Sequence, residues 1–147
     1  MATYKSNRIS SSQNSIAPAD TSDTTTEQAT YTLLAAASAG DILQMAILPA
    51  GCIITAVKLF SDALGSGTVM DVGLWNADGT AVNATAYIAG STVGVAGGVS
   101  YLNNRAGFLI PPDNDNDRII GVQIDAGAGT VGTVGVVASY RWNAYGG

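Results

Sequence analysis

The feature that most constrains this chain is a hydrophobic pattern of period two. It runs, with interruptions, from residue 27 to residue 142. Tyr31, Leu33 and Ala35 alternate with Thr30 and Thr32, and Leu43, Met45 and Ile47 alternate with Gln44 and Ala46. Ile53, Thr55, Val57 and Leu59 share a face opposite Lys58, and Met70, Val72 and Leu74 oppose Asp71 and Gly73. Ile120, Val122 and Ile124 oppose Gln123 and Asp125. Val134, Val136, Ala138, Tyr140 and Trp142 oppose Thr133, Ser139 and Arg141. Successive side chains of a strand point to opposite faces, so each run reads as a strand with one buried face.

Turn residues fall between these runs. Leu48-Pro49-Ala50-Gly51 predicts a turn with Pro49 at its second position. Asp62 to Gly67 links the next two strands, and Asn76-Ala77-Asp78-Gly79 carries the Asp-Gly signal of a tight hairpin. Pro111 to Asp117 is a breaker loop, and Ala126 to Gly129 is expected to be a hairpin tip. Gly73, Gly121 and Gly135 lie inside strands, where glycine marks a bulge or the close approach of another layer or chain. Residues 80–105 are blurred by glycine and are assigned one short strand and a long loop. No helix longer than ten residues is expected. The spacing predicts an all-β sandwich or barrel.

The first 26 residues differ in kind. Eleven are Ser or Thr, none is Gly, and the large apolar side chains are Met1, Tyr4, Ile9 and Ile16. Such a segment buries too little surface to offset its own ordering entropy. Residues 1–26 therefore read as an extended N-terminal arm and residues 27–147 as the β-domain. Lys5 and Arg8 precede any acid and suit an acidic partner patch, with Tyr4, Ile9 and Ile16 as apolar anchors. These five are the candidate contact residues.

Composition removes several chemistries. The chain has 147 residues, no His and a single Cys, Cys52, which rules out a Ser-His-Asp triad, a Cys-His pair and a Cys₄ zinc site. Cys52 reads as a buried small hydrophobe. The net charge of -5 argues against neutralising nucleic-acid phosphates. No secretory signal or membrane span is evident, which points to synthesis in a reducing cytoplasm. Gly127 to Gly132 matches G-x-G-x-x-G, but a strand pattern follows where a dinucleotide fold needs a helix. Asp113, Asp115 and Asp117 have the spacing of a calcium loop, yet Arg118 stands where an EF-hand has Gly and Ile124 where it has Glu. They are a weak metal candidate, better read as a solvated loop. Asp71 and Asp125 lie in strands, are expected to face outward, and are the one carboxylate pair a hydrolase could use. Asn83-Ala84-Thr85 matches a glycosylation acceptor and carries no weight without a secretory signal. Trp75, Trp142, Tyr140 and Tyr145 are expected in the core or at a subunit interface. No catalytic residue and no cofactor are expected.

The order of motifs resembles that of tailed-bacteriophage capsid decoration (cement, head-stabilising) proteins. The residues concerned are Ile47-Leu48-Pro49-Ala50-Gly51, the strand Ile53 to Phe60 and the loop Ser61 to Gly67. The strand Thr68 to Trp75, with its T-x-x-D-V-G pattern, follows, and Gly129 to Tyr140 closes the chain. The likeness covers roughly residues 40–80 and 118–142 and consists of turns and strands. It implies a jelly-roll-like antiparallel β-sandwich preceded by the arm. It also implies a homotrimer that binds the major capsid protein on the outer surface of the virion, with neither nucleic acid nor membrane as partner. A phage tail or receptor-binding β-domain is the alternative; it would recognise a cell-surface glycan through Trp75 or Trp142.

Overall fold

In the computed structural model, which describes residues 1–10, 24–127 and 129–142, two β-sheets pack face to face. The strands are β1 (Thr3–Lys5), β2 (Thr25–Leu33), β3 (Ile42–Leu48), β4 (Cys52–Ser61), β5 (Val69–Asn76), β6 (Ala81–Ser91), β7 (Gly98–Tyr101), β8 (Arg118–Ala126) and β9 (Gly132–Trp142). One sheet has the order β1-β3-β8-β5-β6 and the other β2-β9-β4-β7. Every pairing is antiparallel except β1 with β3, which is parallel. Helix is confined to single turns: α1 (Asn7–Ser10), α2 (Val93–Ala96) and a 3₁₀ turn at Arg105–Leu109. The all-β sandwich expected from period two is the observed architecture.

The connections mostly cross between sheets. β3 leads to β4, β4 to β5 and β8 to β9 by passing from one sheet to the other. The glycine-rich segment after β8 is therefore a crossover and not the expected hairpin tip. Sequence spacing cannot separate the two, because a short turn serves either. At the Pro49 corner Cys52 N–H donates to Pro49 C=O, so Pro49 is the first residue of the turn and not the second. Gly51, at φ +80°, takes the third position, where a type II turn needs a left-handed residue. The Asn76–Thr80 hairpin forms as its Asp-Gly signal predicts: Asn76 N–H donates to Thr80 C=O and Gly79 N–H to Asn76 C=O.

The core lies between the sheets and includes Leu43, Met45, Leu59, Met70, Val72, Ile120, Ile124, Val136 and Tyr140, each at most 1% exposed. Burying a side chain of this size stabilises the fold by roughly 1.5–3 kcal/mol. β8 and β9 bury the faces that alternation assigns. β3 and β4 do so only in part. A register shift between Gln44 and Ala46 changes the phase, so Leu48 is buried instead of Ile47. A second shift between Ile54 and Ala56 puts Ile54, not Ile53 or Thr55, on the face of Val57 and Leu59. Each bulge adds one residue and turns the next side chain over. Residues 80–105 depart further from expectation. They hold the eleven-residue strand β6 together with α2 and β7. Three register shifts between β5 and β6 break the alternation that would have revealed it.

The in-strand glycines receive close neighbours, all from the chain itself. A Cβ on Gly135 would meet the Phe60 ring at 2.0 Å, and one on Gly121 the Trp75 ring at 2.9 Å. At Gly73 it would meet the backbone of Asn83 and Ala84 at 2.3 Å.

Candidate functional site

Residues 1–7 are fastened across one side of the sandwich. Ile42 N–H donates to Ala2 C=O at 2.8 Å, and Ser6 N–H to Gln44 C=O at 2.7 Å, which adds β1 to the β3 edge. Ser6 is fully buried and its hydroxyl donates to Met45 C=O. Asp41, 4% exposed, accepts from Ala2 N–H at 2.8 Å and Ser38 N–H at 3.0 Å. These two donors hold its carboxyl below the ordinary range, because hydrogen bonds to a carboxylate favour the charged form. The same negative charge is the first cause that raises the Tyr4 phenol. The Tyr4 ring lies 5.4 Å from that of Tyr31 on β2. Asn7 Oδ1 accepts from Thr30 N–H, also on β2, at 2.9 Å. The segment thus touches an edge strand of each sheet.

The five candidate contact residues are placed differently from one another. Tyr4 packs against the sandwich's own core, Lys5 is exposed and Ile9 is half-buried. The Arg8 side chain and Ile16 lie outside the described residues. Ser6, Asn7 and Asp41, which do the fastening, carry no apolar signal and bond mainly to backbone groups. A sequence pattern does not find them.

The acidic loop satisfies itself. Asp113 Oδ1 accepts from Asp115 N–H and Asn116 N–H, both at 3.0 Å, and these bonds lower its pKa. Asp117 Oδ1 accepts from Ala50 N–H at 2.9 Å. Among the described residues no three His, Cys, Asp or Glu side chains are gathered as a metal site, Asp113, Asp115 and Asp117 included.

Asp71 sits on the outer face of its sheet as expected, yet it is only 6% exposed. Its Oδ1 accepts from Gly90 N–H at 2.6 Å. Burial raises its pKa, against that hydrogen bond, and the nearby Asp125 charge adds to the rise. Cys52 is buried, and burial pushes its thiol up to about 11, which removes it as a thiolate nucleophile at neutral pH. Trp75, 2% exposed with its ring over Gly121, presents no platform to a glycan. Trp142 packs partly buried against the core and Gly51. A partly open pocket of about 50 Å³ lies beside Leu48, Cys52, Tyr87 and Ile110, far below the ~300 Å³ at which ligand pockets begin. Two wider and more open depressions, of about 430 and 510 Å³, lie on the surface beside Asn76, Asp78 and Asp117 and beside Ser91, Val99 and Asn103. Among the described residues no helix is long and apolar enough to cross a membrane. The apolar side chains left in solvent include Leu34, Val99, Tyr101, Phe108 and Leu109, each more than half exposed. What the geometry offers is surface for contact.

No family model and no curated protein matches the sequence. Solved structures do match. A chain from the capsid of Ralstonia phage GP4 superposes with a TM-score of 0.82 and 25% identity, over 97% of this chain and 99% of that one. A chain from the cyanophage Pam1 capsid asymmetric unit gives 0.64 and 21% identity, over 89% and 95%. A chain from the acid-stable capsid of the Helicobacter pylori bacteriophage KHP30 gives 0.53 and 12% identity, over 83% and 90%. The neighbours of this fold are chains of phage capsids, as the motif order implied.

Proposed function

We propose that this protein is a non-enzymatic structural protein of a tailed-phage virion. It binds the outer surface of the assembled capsid as a trimer and stabilises contacts between major capsid subunits. The observation that carries the reading is the end-to-end likeness to a chain of the GP4 capsid, at 97% and 99% coverage. The action is linkage: a ligand that binds the assembled shell and not loose subunits shifts the balance toward the shell. Three joined copies gain avidity without any new kind of contact. The arm, residues 1–26, extends the footprint on the shell.

Cryo-electron microscopy of purified particles tests the proposal. Density for this fold on the outer capsid face, repeated with the lattice, is the expected result. Density confined to the tail, or absence from virions, overturns it.

A further inference from the structure

The outer face of the β2-β9-β4-β7 sheet carries two of the exposed apolar side chains, Val99 and Tyr101. Cross-strand register puts Val99 beside Phe60 and Phe60 beside Gly135, then Tyr101 beside Lys58 and Lys58 beside Val137. The Lys58 ammonium stands 5.9 Å from the centre of the Tyr101 ring. Toward β2 the face becomes uncharged and polar, with Thr26 bonded to Ser139 and Thr32 to Thr133 through their hydroxyls. The acid of β2, Glu27, points inward and accepts from Tyr140 Oη. Asp62 lies at the end of the face, with Oδ2 turned to Thr133 N–H. The interior of the face therefore carries apolar, aromatic and cationic groups and no carboxylate.

We infer that this face is the contact surface for a second copy of the same chain. The inference rests on the proposed function and names the surface that would join its copies. Charge selects the occupant. The chain carries -5, and its described carboxylates elsewhere are Asp41 beside the N-terminal segment, those of the Asp78 and Asp113–Asp117 loops, and Asp71 and Asp125 on the outer face of the other sheet. Two such surfaces repel when copies meet, whereas Lys58 among apolar neighbours attracts an acidic surface of the next copy. Size is of the right order. Strands of 9, 11, 10 and 4 residues, about 4.8 Å apart, present roughly 540 Å² in projection, about two thirds of the ~800 Å² per partner of a standard interface. Aromatic and aliphatic groups at the centre with hydroxyls at the rim match interface anatomy. Two different surfaces meeting make a head-to-tail contact, which closes into a ring when the rotation allows.

The test is sedimentation velocity of the free protein, with circular dichroism as the fold control. Wild type is expected to associate. Val99→Glu/Tyr101→Glu and, separately, the exposed charge reversal Lys58→Glu should each weaken association at least about tenfold with unchanged spectra. Ala81→Glu, exposed on β6 of the other sheet, should associate as wild type does. If the double variant misfolds, Lys58→Glu decides. A monomeric wild type, or a folded Lys58→Glu protein with wild-type mass, overturns the inference. So does a variant that keeps its mass and loses binding to capsid shells, because the face would then belong to the shell. Association lost in the variants, with no binding of wild type to shells, sinks the capsid reading and leaves this one standing.

Discussion

At Gly73, Gly121 and Gly135 the nearest contact does not predict the larger penalty. A methyl at Gly135 would come within 2.0 Å of Phe60, but Phe60 is half-buried at the surface and its ring end is free to swing. A methyl at Gly73 would come within 2.3 Å of the Asn83 and Ala84 backbone, which β6 pairing holds in place. Gly73→Ala is therefore expected to cost about 3 kcal/mol or more and Gly135→Ala about 1 kcal/mol, read as the two shifts in urea midpoint. Equal costs would show that the β6 backbone yields. Asp71 carries a second prediction at this scale. Its folded pKa lies above the ordinary carboxyl value, chiefly through burial. The stability it contributes is thus complete at low pH and is lost as pH rises through the folded value. Asp71→Asn keeps an acceptor for Gly90 N–H and has no charge to bury. Urea unfolding of the variant from about pH 3 to about pH 7 should lack the decline that Asp71 gives wild type. A decline of the same size in both would assign it elsewhere.

At the scale of elements, the strands that alternation reads without error are those whose core faces run unbroken. β8 buries Ile120, Val122 and Ile124, and β9 buries Val134, Val136, Ala138 and Tyr140. The misreadings follow a single cause. The shifts at Gln44/Ala46 and Ile54/Ala56 have no residue-type signature, and the inferred face is inverted after the shift in β3 and before it in β4. β6 disappears from the pattern because its pairing with β5 jumps from Ile88 to Asn83 between Val72 and Leu74. The N-terminal fastening was illegible for another reason. Ser6 and Asp41 act through backbone groups, at separations of 39 residues in the Ser6–Met45 and Ala2–Asp41 bonds. This fastening refines what truncation should do. Removing residues 1–26 uncovers the β3 edge and one side of Tyr31 and takes the Thr25 and Thr26 pairs from the β2–β9 ladder, while the rest of that ladder and the β3–β8 ladder remain. The truncated chain is expected to keep its β spectrum, unfold at a lower temperature and bind shells more weakly. Loss of the cooperative transition would make the arm part of the core, and wild-type shell binding would remove its role in attachment.

For the whole molecule, the low charge suits work done by contact. Only 12% of residues are charged, against roughly 25% in an average globular protein, and charged residues are depleted at interface cores. On the proposed function, the protein acts through the equilibrium between shell and loose subunits. Binding to the shell alone stabilises it by RT ln(1 + [L]/Kd), about 2.7 kcal/mol per site at a hundredfold excess over Kd. Because the gain is set by free concentration, it is adjustable in a single preparation. Shells stripped of this protein should open at a lower temperature. Adding it back should raise the opening temperature continuously past saturation, with a logarithmic dependence on free protein. A catalytic or covalent action on the shell would instead give a fixed increment that survives removal of the free protein. Dilution of decorated shells separates the two: under linkage the opening temperature falls back as the protein dissociates, and an opening temperature unchanged by full dissociation would exclude this mechanism.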